Sequence, residues 1–279
     1  MATRILRSST ILAAALALSG CASAPVERQQ PMGHAGHIGA LLCPAEDGLR
    51  VLQVSPGQSA ARAGMKEGDL ITGFQGQDMA PPASRQALLW DVHNKEGQAL
   101  EFTVKRGGST LKFTLAPTRK ELYSEDVLYS VLRDEVMTGR KVSVAIVVTL
   151  VNHTTPEAFK NAEALSAWKA GMRDSLFNFH EGMLLNKGLL RCGNYAVVDR
   201  DKTKQVLDEL HFQMSGTVSP ETTKELGKMT GASHLLFLSL TRYRQASGSY
   251  QDVTNARLVA VETGNVAASV RFQQTLSAR

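Results

Sequence analysis

Residues 54–76 read Val-Ser-Pro-Gly-Gln-Ser-Ala-Ala-Arg-Ala-Gly-Met-Lys-Glu-Gly-Asp-Leu-Ile-Thr-Gly-Phe-Gln-Gly. Ser55-Pro56-Gly57 is a turn signal, and Ser59 to Ala63 is long enough for one helical turn, which Gly64 ends. Gly68 supplies a second turn before a short apolar strand, Asp69 to Phe74, and Gly76-Gln77 a third. A strand, a one-turn helix and a second strand, separated only by glycine turns, make a tightly wound unit of short strands.

The same pattern extends to both sides. Ile38–Leu42 and Leu49–Val54 are brief apolar strands upstream. Downstream, Ser84 to His93 spaces Leu88, Leu89 and Val92 along one side of a helix. Ala99–Arg106 and Thr110–Leu115 alternate as strands and meet at Gly107-Gly108, a two-residue hairpin signal.

Together these residues resemble a PDZ domain of the bacterial, HtrA-like kind, in which the same stretch reads Ser-Pro-Ala-x-x-Ala-Gly-Leu-x-x-Gly-Asp-x-Ile. Gln58 departs from the pattern on a surface turn. The resemblance implies capture of an extended peptide as an added strand, with a terminal carboxylate held by backbone N–H groups of a glycine-containing loop. Carried over, that loop is His37-Ile38-Gly39-Ala40, and the strand from Ala40 through Leu41 to Cys43 is the receiving edge. Leu88 and Val92 would line the side-chain pocket, with Ser84 at its mouth. Leu88 and Val92 read equally as core, and Leu89 reads as core. The implied ligand is an extended segment or free C-terminus with an apolar last residue.

The second half follows a different rhythm. Thr118 to Glu125 is a linker, and apolar residues between Leu122 and Met137 mark a short helix. Lys141–Val151 is an almost unbroken apolar strand, as expected for one covered on both faces. Thr155-Pro156-Glu157 signals the start of a long helix with a buried stripe of Phe159, Ala162, Leu165, Trp168, Met172, Leu176, Phe179 and Met183. Tyr195–Val198 is a strand, Asp201–Leu210 a helix, and Ser219-Pro220-Glu221 caps another helix ending at Gly231. Strands follow at His234–Tyr243, Asp252–Val261 and Val266–Phe272. This order implies an α/β sandwich with a mixed sheet.

The carrying motifs are Tyr195-Ala-Val-Val-Asp-Arg-Asp201, Val206-Leu-Asp-Glu-Leu210, Glu225-Leu-Gly-Lys228, Gly231-Ala-Ser-His234 and Ala256-Arg-Leu-Val-Ala-Val-Glu-Thr-Gly-Asn-Val266. They are similar to those of the curli-secretion (CsgG-like) family and the related lipoprotein activators of penicillin-binding proteins. The similarity is strong over the last third of the chain and extends to Val142–Leu190 by layout alone. Pores of that family need two extra hairpins of membrane-spanning strands about ten residues long, for which the sequence leaves no spare segment.

At the N-terminus, Arg4 and Arg7 precede a short apolar run, Ile11–Leu18, and then Leu18-Ser19-Gly20-Cys21. The run is far short of the roughly 20 residues that span a bilayer, and the layout is that of an export signal. Its ending resembles the lipobox of bacterial lipoproteins, which implies cleavage before Cys21, diacylglycerol and palmitate-like acylation on Cys21, and anchoring to a bilayer. Ala22 after the cysteine favours the outer membrane, facing the periplasm. The expected organisation is a signal at 1–20, a flexible tether at 21–36, a PDZ domain at 37–117, a linker and helix at 118–140 and a CsgG-like domain at 141–279, an α+β chain in all.

The composition is globular, with 43% hydrophobic and 20% charged residues. The net charge of +5 is scattered and no basic-aromatic motif accompanies it, which argues against nucleic acid. Cys43 and Cys192 fall in what read as different domains, and two buried thiols are the expected state, although an oxidising compartment permits a bridge. His34 and His37 lack a third metal ligand. No Gly-x-Ser-x-Gly elbow, HExxH helix, Walker loop or dinucleotide fingerprint occurs, and Asp199, Asp201, Asp208 and Glu209 flank or cap a helix. The expectation is a binding protein without catalytic residues, metal or cofactor. It would be an adaptor or regulator in envelope biogenesis, quality control or secretion, with an export-assembly subunit and an unrecognised hydrolase as alternatives. Self-association is left open.

Overall fold

In the computed structural model, which describes residues 33–122, 124–186, 188–209 and 219–276, the glycine turns lie where the sequence puts them. The signal-like segment, Cys21 and the tether up to residue 32 lie outside the described residues. Gly107 and Gly108 both take positive φ (53° and 83°) and return β6 (Leu100–Arg106) into β7 (Ser109–Leu115). Around this hairpin the chain builds β2 (Ala40–Ala45), β3 (Gly48–Val54), β4 (Leu70–Phe74) and β5 (Gln77–Asp78) into one sheet of order β2-β3-β4-β6-β7, with β5 on β4. Helix α1 (Ser59–Arg62) is the single turn before Gly64, and α2 (Pro82–Asn94) carries Leu88, Leu89 and Val92 on its buried side. Leu49, Val51, Ile71, Phe102, Val104 and Leu115 are at most 1% exposed and form the core with that helix. Each such side chain contributes about 1.5–3 kcal/mol of hydrophobic stabilisation.

Two buried charges hold this sheet to its loops. Asp69 accepts both Arg106 Nε (2.6 Å) and Nη2 (2.7 Å) and caps the Lys66 N–H at 2.8 Å. Burial alone would raise the Asp69 pKa, but the hydrogen bonds from Arg106 and the Lys66 N–H, with the attraction of both cations, outweigh it and hold the carboxyl below its usual value. Arg85, buried on α2, donates to the carbonyls of Met79 (2.9 Å), Ala80 (2.8 Å) and Ala45 (2.8 Å), fixing the start of the helix against the β2–β3 turn.

Two segments expected to be irregular are strands. β1 (Gly33–His37) pairs antiparallel with β8 (Thr118–Leu122), from Gly33↔Leu122 to His37↔Thr118. Neither segment has an apolar period, so the pairing rests on the backbone and on proximity. An added Cβ at Gly36 would lie 2.2 Å from the Val92 carbonyl oxygen, so only glycine lets β1 run this close to α2.

The chain divides into two units, one of Gln30–Ser143 with Leu185–Ala196 and the other of Val144–Leu184 with Val197–Arg279. The first unit therefore contains α3 (Ser124–Met137) and the 3-10 turn η2 (Leu189–Cys192) besides the sheet. Cys43 and Cys192 are joined in a disulfide with Cα atoms 5.1 Å apart, correcting the expectation of two free thiols. The reason is that residues 185–196 return to the first unit, so both cysteines belong to it.

The other sheet is mixed, of order β10-β9-β11-β12-β13, comprising β10 (Tyr195–Val197), β9 (Val142–His153), β11 (His234–Arg244), β12 (Tyr250–Ala260) and β13 (Val266–Leu276); all of it but Val142–Ser143 and Tyr195–Ala196 belongs to the second unit. β9 and β11 are parallel, and β11, β12 and β13 are antiparallel neighbours. Consecutive residues Val144 to Thr149 of β9 are all buried, as a strand covered on both faces requires. Ala145 and Val147 share a core with Val206 of α5 (Arg200–Glu209) and Leu226 of α6 (Pro220–Thr230).

The motif glycines have mechanical roles here. A Cβ on Gly227 would lie 2.3 Å from Val261 Cγ1, so this glycine brings α6 onto the strand end. Gly231, at φ +74°, caps α6 with its N–H on the Gly227 carbonyl. At the other end, Ser219 Oγ accepts the Thr222 N–H at 3.2 Å, with Pro220 following as expected.

The long helix starts later than Thr155 suggests. Pro156–Ala158 is only a 3-10 turn (η1), Phe159 is extended, and α4 runs from Ala162 to Asn186 with Asn161 Oδ1 accepting the Ala164 N–H at 2.8 Å. Phe159 is drawn out of the helix into a ring cluster with His153 and Trp168, at centroid distances of 5.0 and 5.7 Å. The fully buried stripe is accordingly Leu176, Phe177, His180 and Leu184.

Candidate functional site

In the first unit the turn after β1 sets two N–H groups beside a sheet edge. The Ile38 carbonyl accepts the Ala60 N–H (2.9 Å), and the Gly39 carbonyl accepts the Ser55 N–H (2.7 Å). The Ile38 and Gly39 N–H groups meet no acceptor among the described residues. Gly39 has φ +73°, and a Cβ there would fall 2.1 Å from Gln58 Cβ. Gln58, the departure from the family pattern, thus packs on this turn and accepts the Thr118 hydroxyl at 3.1 Å. β2 follows as the edge strand of its sheet, paired on one side with β3 (Ala40↔Val54, Leu41↔Gln53). Pro44 has no N–H, so the edge can exchange a full ladder only over Ala40 to Cys43.

A cleft of about 450 Å³ lies between this edge and α2. Ile38, Gly39, Ala40, Leu41, Leu88 and Val92 all line it. Ser84 does not: the cleft follows the last two turns of α2, and Ser84 sits in the first. Leu88 (1% exposed), Val92 (7%) and Ile38 (4%) also belong to the core, so both readings of these side chains describe the same residues.

Two further walls were not read from the sequence. Asp126, Tyr129, Ser130, Arg133 and Met137 of α3 line the cleft opposite β2. Lys120 Nζ bonds Asp126 Oδ1 at 2.9 Å, tying the first turn of α3 to β8. The pKa of His93, at the end of α2, is pushed down to about 4 by burial, then by repulsion from Arg133, which Asp134 opposes and Lys120 reinforces least. η2 meets β2: Gly188 sits against the Leu41 side chain, Arg191 donates to the Leu52 carbonyl at 3.0 Å, and the disulfide joins Cys192 to Cys43. The apolar period from Leu122 to Met137 and the second cysteine were the available signals.

The second unit has a smaller cleft of about 290 Å³, with Phe177, Arg173, Arg200 and Lys204 among its lining. Arg200 stacks 4.8 Å over Phe177 and pairs with Asp174, while Asp199 Oδ1 caps α5 through the Asp201 N–H at 2.9 Å. Arg242 and Asp252 form a buried two-bond ion pair (2.6 and 2.7 Å), with Trp168 5.1 Å from the guanidinium. These contacts fasten helices to the sheet. Among the described residues no three His, Cys, Asp or Glu side chains could hold a metal ion, and no helix is long and apolar enough to cross a membrane.

Comparison with known proteins finds two successive families along the chain. A PDZ domain model matches residues 36–116, and the model of curli production assembly/transport component CsgG matches residues 128–278. No curated protein matches. Among solved structures, the HtrA3 PDZ domain bound to a phage-derived ligand is 22% identical over 32% of this chain and 90% of that one, with a TM-score of 0.28. The serine endoprotease from Yersinia pestis is 23% identical over 32% of this chain, with a TM-score of 0.27, and the match spans only 30% of that protein. The LpoB C-terminal domain from Salmonella enterica is 16% identical over 54% of this chain and 93% of that one, with a TM-score of 0.30. The chain carries a PDZ domain, and with more than half its length matched by the second model it belongs to the family of curli production assembly/transport component CsgG.

Proposed function

We propose that this chain is an envelope lipoprotein that captures an extended peptide or protein C-terminus with its PDZ domain and acts as an adaptor or regulator through its CsgG-like domain. The observation that carries this is the turn at Ile38-Gly39. Two N–H groups without an acceptor among the described residues sit at the head of an edge strand, beside a largely apolar cleft. A carboxylate fits those donors, and the following main chain fits β2. Lipid on Cys21 would hold the chain to the outer membrane, facing the periplasm. The chain acts in this reading by binding and not by catalysis.

The test is a C-terminal heptapeptide library displayed on phage, selected on the full chain, with the enriched peptide added to 15N-labelled protein. The amides of Ile38, Gly39 and Ala40 should shift most. Shifts confined to the second unit, or no enrichment, would refute capture in this cleft. Feeding cells a clickable palmitate analogue should label the wild type and not Cys21→Ser; an unlabelled wild type would remove the anchor. Turnover of protein or peptidoglycan by the purified chain would overturn the non-catalytic reading.

Family membership favours one second reading, a subunit of an outer-membrane secretion assembly. A ring-shaped oligomer by native mass spectrometry would support it, and a stable monomer would exclude it.

A further inference from the structure

We infer that α3 is a built-in gate on the PDZ cleft, and that a peptide enters only when α3 leaves. The inference rests on peptide capture along β2 as proposed above, and adds how that site is controlled.

Three observations carry it. First, Asp126, Tyr129, Ser130, Arg133 and Met137 follow 3–4 spacing, so one face of α3 lines the same cleft as the Ile38-Gly39 turn and Leu88 and Val92 of α2. Second, α3 packs directly on both β2 and α2, the two elements between which an added strand must lie, and Met137 is 1% exposed within the domain's own core. A new strand would run about 4.8 Å from β2, whereas a helix with its side chains is about 10–12 Å across. The two cannot share that edge. Third, the contact is built rather than incidental. Lys120 and Asp126 clasp the first turn of α3 at 2.9 Å, with Asp126 buried. η2, bonded through Cys192 to Cys43, flanks the same strand and leaves α3 as the noncovalent part of the closure.

Helix and peptide therefore compete. With α3 docked, only the small open fraction of molecules can bind, and the apparent affinity falls by that fraction. Weakening α3 should raise affinity, although nothing in the peptide's own contacts has changed.

The experiment uses the full chain and the heptapeptide enriched from the phage library. Hydrogen exchange is followed on α3 segments with and without peptide, and peptide affinity is measured for wild type and Ser130→Pro. Proline at 130 removes an internal helix hydrogen bond and breaks α3 at its middle. Asp126→Asn, which removes the charge from the clasp, replaces it if Ser130→Pro does not fold. The gate predicts that peptide accelerates α3 exchange about tenfold or more, and that the weakened variant binds roughly tenfold or more tightly. Exchange in α3 that slows or stays the same on binding, with equal affinities, would make α3 a fixed wall and overturn the gate while leaving capture intact. No peptide enriched on either protein would overturn the capture reading and the gate with it.

Discussion

The disulfide between Cys43 and Cys192 should be among the larger single contributions to the stability of the first unit. The two positions are 149 residues apart. In the chain-entropy model a closed loop of that size removes about 5 kcal/mol of unfolded-state entropy at room temperature, an upper value because denatured chains are already partly compact. The perturbation is reduction, or Cys43→Ser with Cys192→Ser, in a soluble Cys21→Ser background. Urea unfolding followed by far-ultraviolet circular dichroism should show the transition assigned to the first unit moving to lower urea. The loss should be between about 2 and 5 kcal/mol. Thiol titration in denaturant without reductant should find no free thiol. Two thiols per chain, or a loss below about 1 kcal/mol on reduction, would refute the reasoning and restore the expectation of independent cysteines.

Three further outcomes follow from other contacts. Gly36→Ala puts a Cβ 2.2 Å from the Val92 carbonyl oxygen and should cost about 2 kcal/mol in urea unfolding, with β1 amides losing exchange protection; a neutral effect would mean β1 does not press on α2. His180 is buried and pushed down to about 4 by desolvation, slightly opposed by the Leu176 carbonyl. It is neutral in the fold and protonates first in the unfolded chain, so its contribution is full above about pH 6.5 and is lost as pH falls toward 4, by roughly 3 kcal/mol; His180→Leu should remove that part of the acid limb. Asp69→Ala should lower Tm by several degrees at pH 7 and much less at pH 2–3. The Asp69 carboxyl, held below its usual value, gives stability above the unfolded carboxyl pKa that disappears as pH falls through the folded one.

Much of both domains was legible because their signals are local. Gly107-Gly108, the Gly64 stop and the Pro220 start act within a few residues, and each is found in place. The pocket residues were legible for the same reason, since Ile38 to Leu41 and Leu88 with Val92 travel with the glycine pattern. What was hidden is set by partners distant in sequence. Nothing within Gly33–His37 or Thr118–Leu122 announces a strand, because each is paired with the other across more than 80 residues and packed on helices elsewhere in the chain. The Phe159 ring leaves a helical pattern for His153 and Trp168, a choice made by tertiary packing over propensity. The α3 helix was visible as a helix, but its position against β2 depends on a crossing that no periodicity encodes.

The return of residues 185–196 to the first unit fixes the order in which the molecule can be completed. A chain delivered from its N-terminus presents Cys43 and the whole PDZ sheet long before Cys192 arrives, and in between it must thread out β9 and all of α4. For that interval β2 has no η2 beside it and its thiol is unpaired. A fragment ending at residue 143 would stay in this condition for good, with α3 beside β2 but η2 missing and Cys43 without its disulfide partner. The emerging protein thus passes once through a form of its PDZ domain held by α3 alone, and the covalent closure waits on a segment that follows the first part of the other unit.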